Sequence, residues 1–249
     1  MRSLVRETLI AYGLLLVRCW PALLVVLCPV ACLNAALAFG GVSDRTAWKV
    51  DNLLGSVFGI LAVATALRFL GAEREGVRKS CWKLLIEAAL CWGRLFKTNL
   101  IVGLIGLLLL VCLVVPGVIW FVFYAFTSCC VVIEGLKAHD AMSESKRLVK
   151  GAWWQTFGVF VSLFLIYLLF FYAVLFCVEL GVSALESACG DEEFLPNWFC
   201  WVYAVKEFAC GLAGDVLYLF VVTGGALFYF RRKAELSCGA DDSSIACVA

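Results

Sequence analysis

VPGVIWFVFYAFTSCCVVIEGLKAHDAMSESKRLVKGAWWQTFG, residues 115–158, decides the architecture. The stretch opens on Pro116-Gly117, carries no charge until Glu134, and closes its apolar run on Glu134-Gly135. A run of this kind, wound as a helix, has the length and character of a membrane span. The next segment changes period. Across 139–150, Ala141, Met142, Ser145, Leu148 and Val149 share one helical face. Asp140 sits in the first turn, Lys146, Arg147 and Lys150 in the last, and Gly151 just beyond. That polarity suits the helix dipole, and the glycine suits a C-cap. Trp153-Trp154 then returns the chain to apolar sequence, as aromatic residues do at a membrane interface.

The whole chain follows the same grammar. Its 249 residues are 64% apolar and 16% charged, against about 25% charged in a soluble domain; the mean hydropathy is +0.99. The reading is an all-α, multi-pass membrane protein with six spans at about 20–39, 52–70, 99–115, 118–136, 153–180 and 209–230. Three amphipathic stretches, 3–17, 72–97 and 139–150, read as interfacial helices. In the second, Val77, Cys81, Leu84, Leu85, Ala88, Trp92, Leu95 and Phe96 form one stripe, with Lys83 and Glu87 at i,i+4 off it. Pro29 predicts a kink in the first span. Each amphipathic stretch leads through a basic and aromatic junction into a hairpin of spans, a pattern of three units. Residues 1–235 make one membrane domain, and 236–249, small and polar, read as a disordered tail.

Orientation follows from Lys and Arg. All 20 except Arg45, Lys49 and Lys206 fall on one side if both termini, 68–97 and 137–150 share it. By the positive-inside rule that side is cytoplasmic, in a cell membrane and most simply a bacterial inner membrane. The N-terminus has Arg18 within its apolar run and no cleavage site, so it reads as retained. Seven of the 14 cysteines (28, 32, 112, 129, 130, 177 and 210) lie inside apolar runs, where a thiol acts as a small hydrophobe. Cys189 and Cys200 flank the acidic 181–197 loop and are a candidate disulfide.

Pro116, Gly117, Glu134, Gly135, Ala141, Ser145, Leu148, Gly151 and Trp154 together resemble a known pattern: Pro-Gly-aliphatic, then Glu-Gly, then Ala-x-x-x-Ser-x-x-Leu-x-x-Gly-x-x-Trp. The chain resembles the membrane domain of the glycerophosphoryl diester phosphodiesterase family and the YciC-like integral membrane families of unknown function. Residues 227–235 are similar to the usual ending of those domains. The resemblance implies a polytopic helical fold. It brings no catalytic residues, because the phosphodiesterase barrel that accompanies such domains needs several His and acidic residues, and His139 is the only His in this chain.

Nothing in the sequence carries a cofactor, metal or nucleic-acid signature: there is no Walker loop, no HExxH and no GxSxG. Asp215, inside the sixth span at GLAGDVLYLF, is the strongest functional candidate, since a carboxylate in hydrocarbon is costly. A water-holding recess or a pair with Lys206 are its structural alternatives. Glu134 reads as a cap or ion-pair partner for the third amphipathic helix, through Lys137 or Arg147. Ser145 reads as a small residue permitting close helix approach. Arg231 and Arg232 belong to a cationic rim that suits either topology alone or anionic lipid headgroups. Two functions follow as expectations. The first is a non-enzymatic membrane scaffold or accessory protein, with the bilayer and a protein partner as its contacts. The second is a small transporter or lipid-handling protein, which requires Asp215, Asn34, Thr127 and Ser128 to converge on one cavity.

Overall fold

The computed structural model describes residues 2–40, 44–189 and 196–246. Among them all regular structure is helical: α1 (Arg2–Phe39), α2 (Asp44–Arg74), α3 (Cys81–Cys112), α4 (Val114–Phe123), α5 (Thr127–Ile133), α6 (Ala138–Val149), α7 (Trp153–Cys189) and α8 (Pro196–Ala246). Six helical stretches are long and apolar enough to cross a membrane: Ser3–Leu37, Leu53–Arg74, Cys81–Cys112, Val114–Ile133, Trp153–Leu185 and Trp201–Cys238.

The expected interfacial helices fare differently. The first is not separate: α1 runs unbroken from Arg2 to Phe39 through Pro21 and Pro29. It does bend. Tyr12 donates its hydroxyl to the carbonyl of Val216 (2.9 Å), while Asn34 packs on Gly211. A straight helix would separate Tyr12 from Asn34 by about 33 Å, yet Val216 and Gly211 lie only about 7.5 Å apart along α8. Even with both side chains fully extended the two distances do not meet. The bend falls in the stretch holding the two prolines, whose rings remove backbone hydrogen bonds and push the preceding turn aside.

The second amphipathic stretch is also fused to the span after it. No Gly or Pro stands between Lys97 and Asn99, so α3 continues from Cys81 to Cys112. Its buried face is Leu84, Ala88, Cys91 and Leu95, close to the expected stripe. The ion pair differs. Glu87 binds Lys79 (2.8 Å) rather than Lys83, because Lys79 reaches across from the turn before α3. Only the third amphipathic helix, α6, stands alone.

α7 continues to Cys189, through much of the stretch expected as the 181–197 loop, and α8 is helical to Ala246, beyond the expected start of the tail. The side chains of Cys189 and Cys200 lie outside the described residues, so the disulfide expectation does too.

The link between α3 and α4 is the single extended residue Leu113 (φ −153°, ψ 111°). Pro116 then falls in the first turn of α4, where its missing N–H has no helical partner to lose. Gly117 makes the hairpin close: a Cβ there would stand 2.6 Å from the Cα of Leu110. Near the centre, the buried ring of Phe126 meets Phe160, Phe228 and Tyr229 at centroid distances of 5.8–6.0 Å. α8 packs on α1, α7 and α2, and its contact with α1 is the largest between any two elements. That places α8 beside both Glu134 and the recess around Asp215 described next.

Candidate functional site

The 118–136 run contains a break that its sequence does not announce. α4 ends at Phe123 and α5 begins at Thr127, with no Gly or Pro between. The N–H of Phe126 donates to the hydroxyl oxygen of Ser145 (3.2 Å), and Ser145 donates its own proton to the carbonyl of Phe123 (2.9 Å). One fully buried hydroxyl therefore satisfies a donor and an acceptor that the break exposes. Interrupted backbone in a long apolar stretch is tolerated where protein supplies such partners. The expectation for Ser145, a small residue allowing close approach, is right about burial and misses the hydrogen bonds.

α5 ends on Glu134, and Gly135 takes φ +71°, a conformation that suits glycine. The N–H of Leu136 returns to the carbonyl of Cys130 (3.3 Å), tying the chain after Gly135 back onto α5. Arg94 donates to the carbonyl of Gly135 (2.9 Å). Glu134 accepts from the hydroxyl of Tyr229 and from Lys233 (2.5 Å). Its partners thus come from α8 and not, as expected, from Lys137 or Arg147. Arg147 is taken by Glu144 three residues earlier on α6 (2.6 Å). The Arg147 guanidinium hydrogen bond holds the Glu144 carboxyl below its ordinary pKa, against partial burial that opposes it. At the other end of α6, Gly151 has φ +85°, the C-terminal role its position predicts.

Several other cations of the rim are also tied to protein. Arg231 pairs with Glu7 (3.2 Å). Arg232 pairs with Glu235 (2.5 Å) and donates to the carbonyl of Leu148 (3.3 Å). Arg74 lies 4.5 Å over the ring of Phe230, and Arg18 pairs with Glu73 (2.6 Å). The basic clusters that charge counting assigns to one side are gathered at one end of the bundle. Trp154, 77% exposed, walls an apolar groove with Val115, Ile119 and Phe123.

Asp215 stands about 21 Å further along α8 from Tyr229, at 1.5 Å per residue. It lines a recess of about 270 Å³ between α1, α7 and α8, with Asn34, Tyr167, Phe171, Cys210 and Tyr218. Gly211 and Gly214 keep its floor open; a Cβ at Gly214 would lie 3.1 Å from the ring of Phe171. Lys206, the expected partner of Asp215, instead binds Glu179 of α7 (2.5 Å). Asn34 joins Asp215 as expected. Thr127 and Ser128 do not: Thr127 is buried beside the break, and Ser128 donates to Asn99 (3.1 Å). Sequence reasoning missed Tyr167, Phe171 and Tyr218. Their spacing of four residues on α7, and of three from Asp215 on α8, is the signal that puts them on shared faces.

Residues 30–223, most of the chain, match the family described as "Domain of unknown function (DUF7847)". The chain belongs to that family. No curated protein and no solved structure matches it. The DUF7847 region contains the broken fourth stretch, α6 and every residue named in the Asp215 recess. It ends before Tyr229 and Lys233, the α8 partners of Glu134.

Proposed function

We propose that this protein is a multi-pass membrane protein, its basic end and both termini cytoplasmic, that handles a lipid or small solute at the recess around Asp215. Its role is binding or passage and not covalent chemistry. The observation that carries this reading is the meeting of the Asp215 carboxylate and the Asn34 amide in one recess with the phenols of Tyr167 and Tyr218. All lie on helices apolar enough to cross a membrane. Polar and ionisable groups kept in such a setting are costly and usually mark a ligand or ion path. The charge pattern supports the orientation. The resemblance of 115–158 to the membrane domains of glycerophosphoryl diester phosphodiesterases is part of the proposal and agrees with a membrane role.

A second reading, a membrane scaffold or accessory protein, draws on the basic end. Its cations hold α1, α2, α5, α6 and α8 to one another, which suits a rigid platform. It also gains from Thr127 and Ser128 standing away from the recess.

Native mass spectrometry of the chain extracted in mild detergent separates the two. A retained lipid or metabolite, lost on Asp215→Asn while the helical spectrum is kept, is the expected result. A retained protein partner with the same mass in wild type and Asp215→Asn would move the assignment to the scaffold.

A further inference from the structure

An open apolar groove starts just past the C-terminal end of α6, where two lysines are exposed. We infer that this groove, between α4 and the start of α7, seats an acyl chain of an anionic phospholipid whose headgroup lies on Lys146 and Lys150. Such a site rests on the membrane placement proposed above and not on the recess around Asp215.

Three observations lead there. The first is the groove itself. It holds about 580 Å³, and its lining is wholly aliphatic or aromatic: three valines, Ile119 and Phe123 of α4 with Trp153 and Trp154 of α7. Val114, Val115, Ile119 and Trp154 are exposed, so it opens on the outer surface of the bundle. The second is length and direction. Ser145 of α6 donates to the carbonyl of Phe123, so the Phe123 end of the groove lies by α6. Val114 lies about 14 Å further along α4, at 1.5 Å per residue. That is close to half of the roughly 30 Å hydrocarbon thickness, the depth that one acyl chain fills. The third is charge. Gly151, at φ +85°, turns the chain from α6 into α7. Lys150 therefore stands three residues before Trp153, with Lys146 one turn back: the N–H of Lys150 donates to the carbonyl of Lys146 (3.0 Å). Arg147 is committed to Glu144, and Arg232 to Glu235 and the carbonyl of Leu148. Among the described residues the ammonium groups of Lys146 and Lys150 have no such partner. Exposed lysines at a membrane surface favour anionic over zwitterionic lipid. Tryptophan prefers headgroup depth, so the Trp153–Trp154 pair, edge to face at 4.7 Å and 88°, marks the level where chain gives way to headgroup.

The test uses the full chain in phosphatidylcholine vesicles that carry either phosphatidylglycerol or phosphatidylcholine brominated on its acyl chains. Bromine quenches tryptophan at contact, and the share due to Trp154 is the difference between wild type and Trp154→Phe. Brominated phosphatidylglycerol is expected to quench Trp154 at about fivefold lower mole fraction than brominated phosphatidylcholine, the preference that one lysine near an anionic headgroup supplies. The double variant Lys146→Gln/Lys150→Gln is expected to bring the two lipids level without changing the phosphatidylcholine result. Asp215→Asn is expected to leave the preference as it is. Equal quenching by the two lipids in wild type overturns the inference, as does a preference that survives in the double lysine variant. A preference lost in Asp215→Asn overturns it too, since the lipid would then belong to the recess. Quenching of other tryptophans but not of Trp154 means that protein covers the groove, a second copy of this chain or a different partner; that result overturns the lipid site and leaves the membrane placement intact. No quenching of any tryptophan removes both.

Discussion

The two polar regions on α8 are built in opposite ways. At the basic end, Glu134 is bound by Tyr229 and Lys233, Gly135 by Arg94, and the break at 124–126 by Ser145. Every one of these contacts joins two elements, and the helices there are short and interrupted. About 21 Å away along α8, Asp215 faces a recess between three long helices, floored by glycines. The first region uses its polar groups to fix helices. The second keeps polar groups around a space. Burial of a polar group is stabilising only when its partner is in place. So substitutions at the basic end should register as stability and substitutions at the recess as ligand binding, with little crossing over.

Ser145→Ala is the sharpest way to break that comparison. It removes the hydroxyl that serves both Phe126 and Phe123, leaving a buried N–H without a partner, at a cost of about 1–3 kcal/mol. Ser162→Ala is the matched control: its hydroxyl bonds only the Gly158 carbonyl within α7 (2.7 Å), and its loss should stay within about 0.5 kcal/mol. Equilibrium unfolding in detergent measures both. Equal losses would mean that the break holds itself and α6 merely lies against it.

Tyr229→Phe is a smaller step at the same end. The ring stays in its contact with Phe126 (centroids 5.9 Å), and only the hydroxyl that serves Glu134 goes. A hydrogen bond to a charged group is worth roughly 1.5–3 kcal/mol when buried. Here Lys233 still neutralises Glu134, so the lower end is expected, again by unfolding, with recess binding unchanged. A change in ligand retention in native mass spectra without loss of stability would show that the two regions communicate along α8, and the division drawn above would fail.

What the sequence makes legible follows from the range of each interaction. Gly151 at the end of α6, Pro116 and Gly117 at the α3–α4 hairpin, and the gathering of Lys and Arg at one end all depend on neighbours or on counting. The break at 124–126 does not: Tyr124-Ala125-Phe126 is as apolar as its surroundings, and its cause is a serine 19 residues downstream. Glu134 and Tyr229 are 95 residues apart, and no local rule pairs them; a nearer cation such as Arg147 is the natural guess, yet Glu144 lies closer still. The reverse error occurs in α1 and α3. Charge placed near Arg18 and Lys97 reads as a boundary, but α3 has no Gly or Pro at Lys97 to stop it, and α1 answers Pro21 and Pro29 with a bend and not a break. At the recess, Asp215 and Asn34 stand out as polar residues in apolar runs, whereas Tyr167, Phe171 and Tyr218 look like ordinary span aromatics until their helices are brought together.

The smallest effect concerns α6, the element that carries Ser145. Glu144 is held below its ordinary value of 4.5 by Arg147, so the folded state binds fewer protons there than the unfolded chain. The pair's contribution is therefore complete above the ordinary carboxylate range and is lost as pH falls through the lowered folded-state value. Arg147 is 59% exposed and solvent screens the pair, which limits it to under about 1 kcal/mol. Glu144→Gln is expected to flatten the acid side of the stability–pH curve and to lower neutral-pH stability by no more than that amount. If the variant instead destabilises at neutral pH by as much as Ser145→Ala, then the seating of α6 depends on its exposed ion pair and not on the buried hydroxyl. Only the Ser145 contact crosses from α6 to the break; the Glu144–Arg147 pair lies wholly within one helix, and that is the physical reason to expect the hydroxyl to dominate.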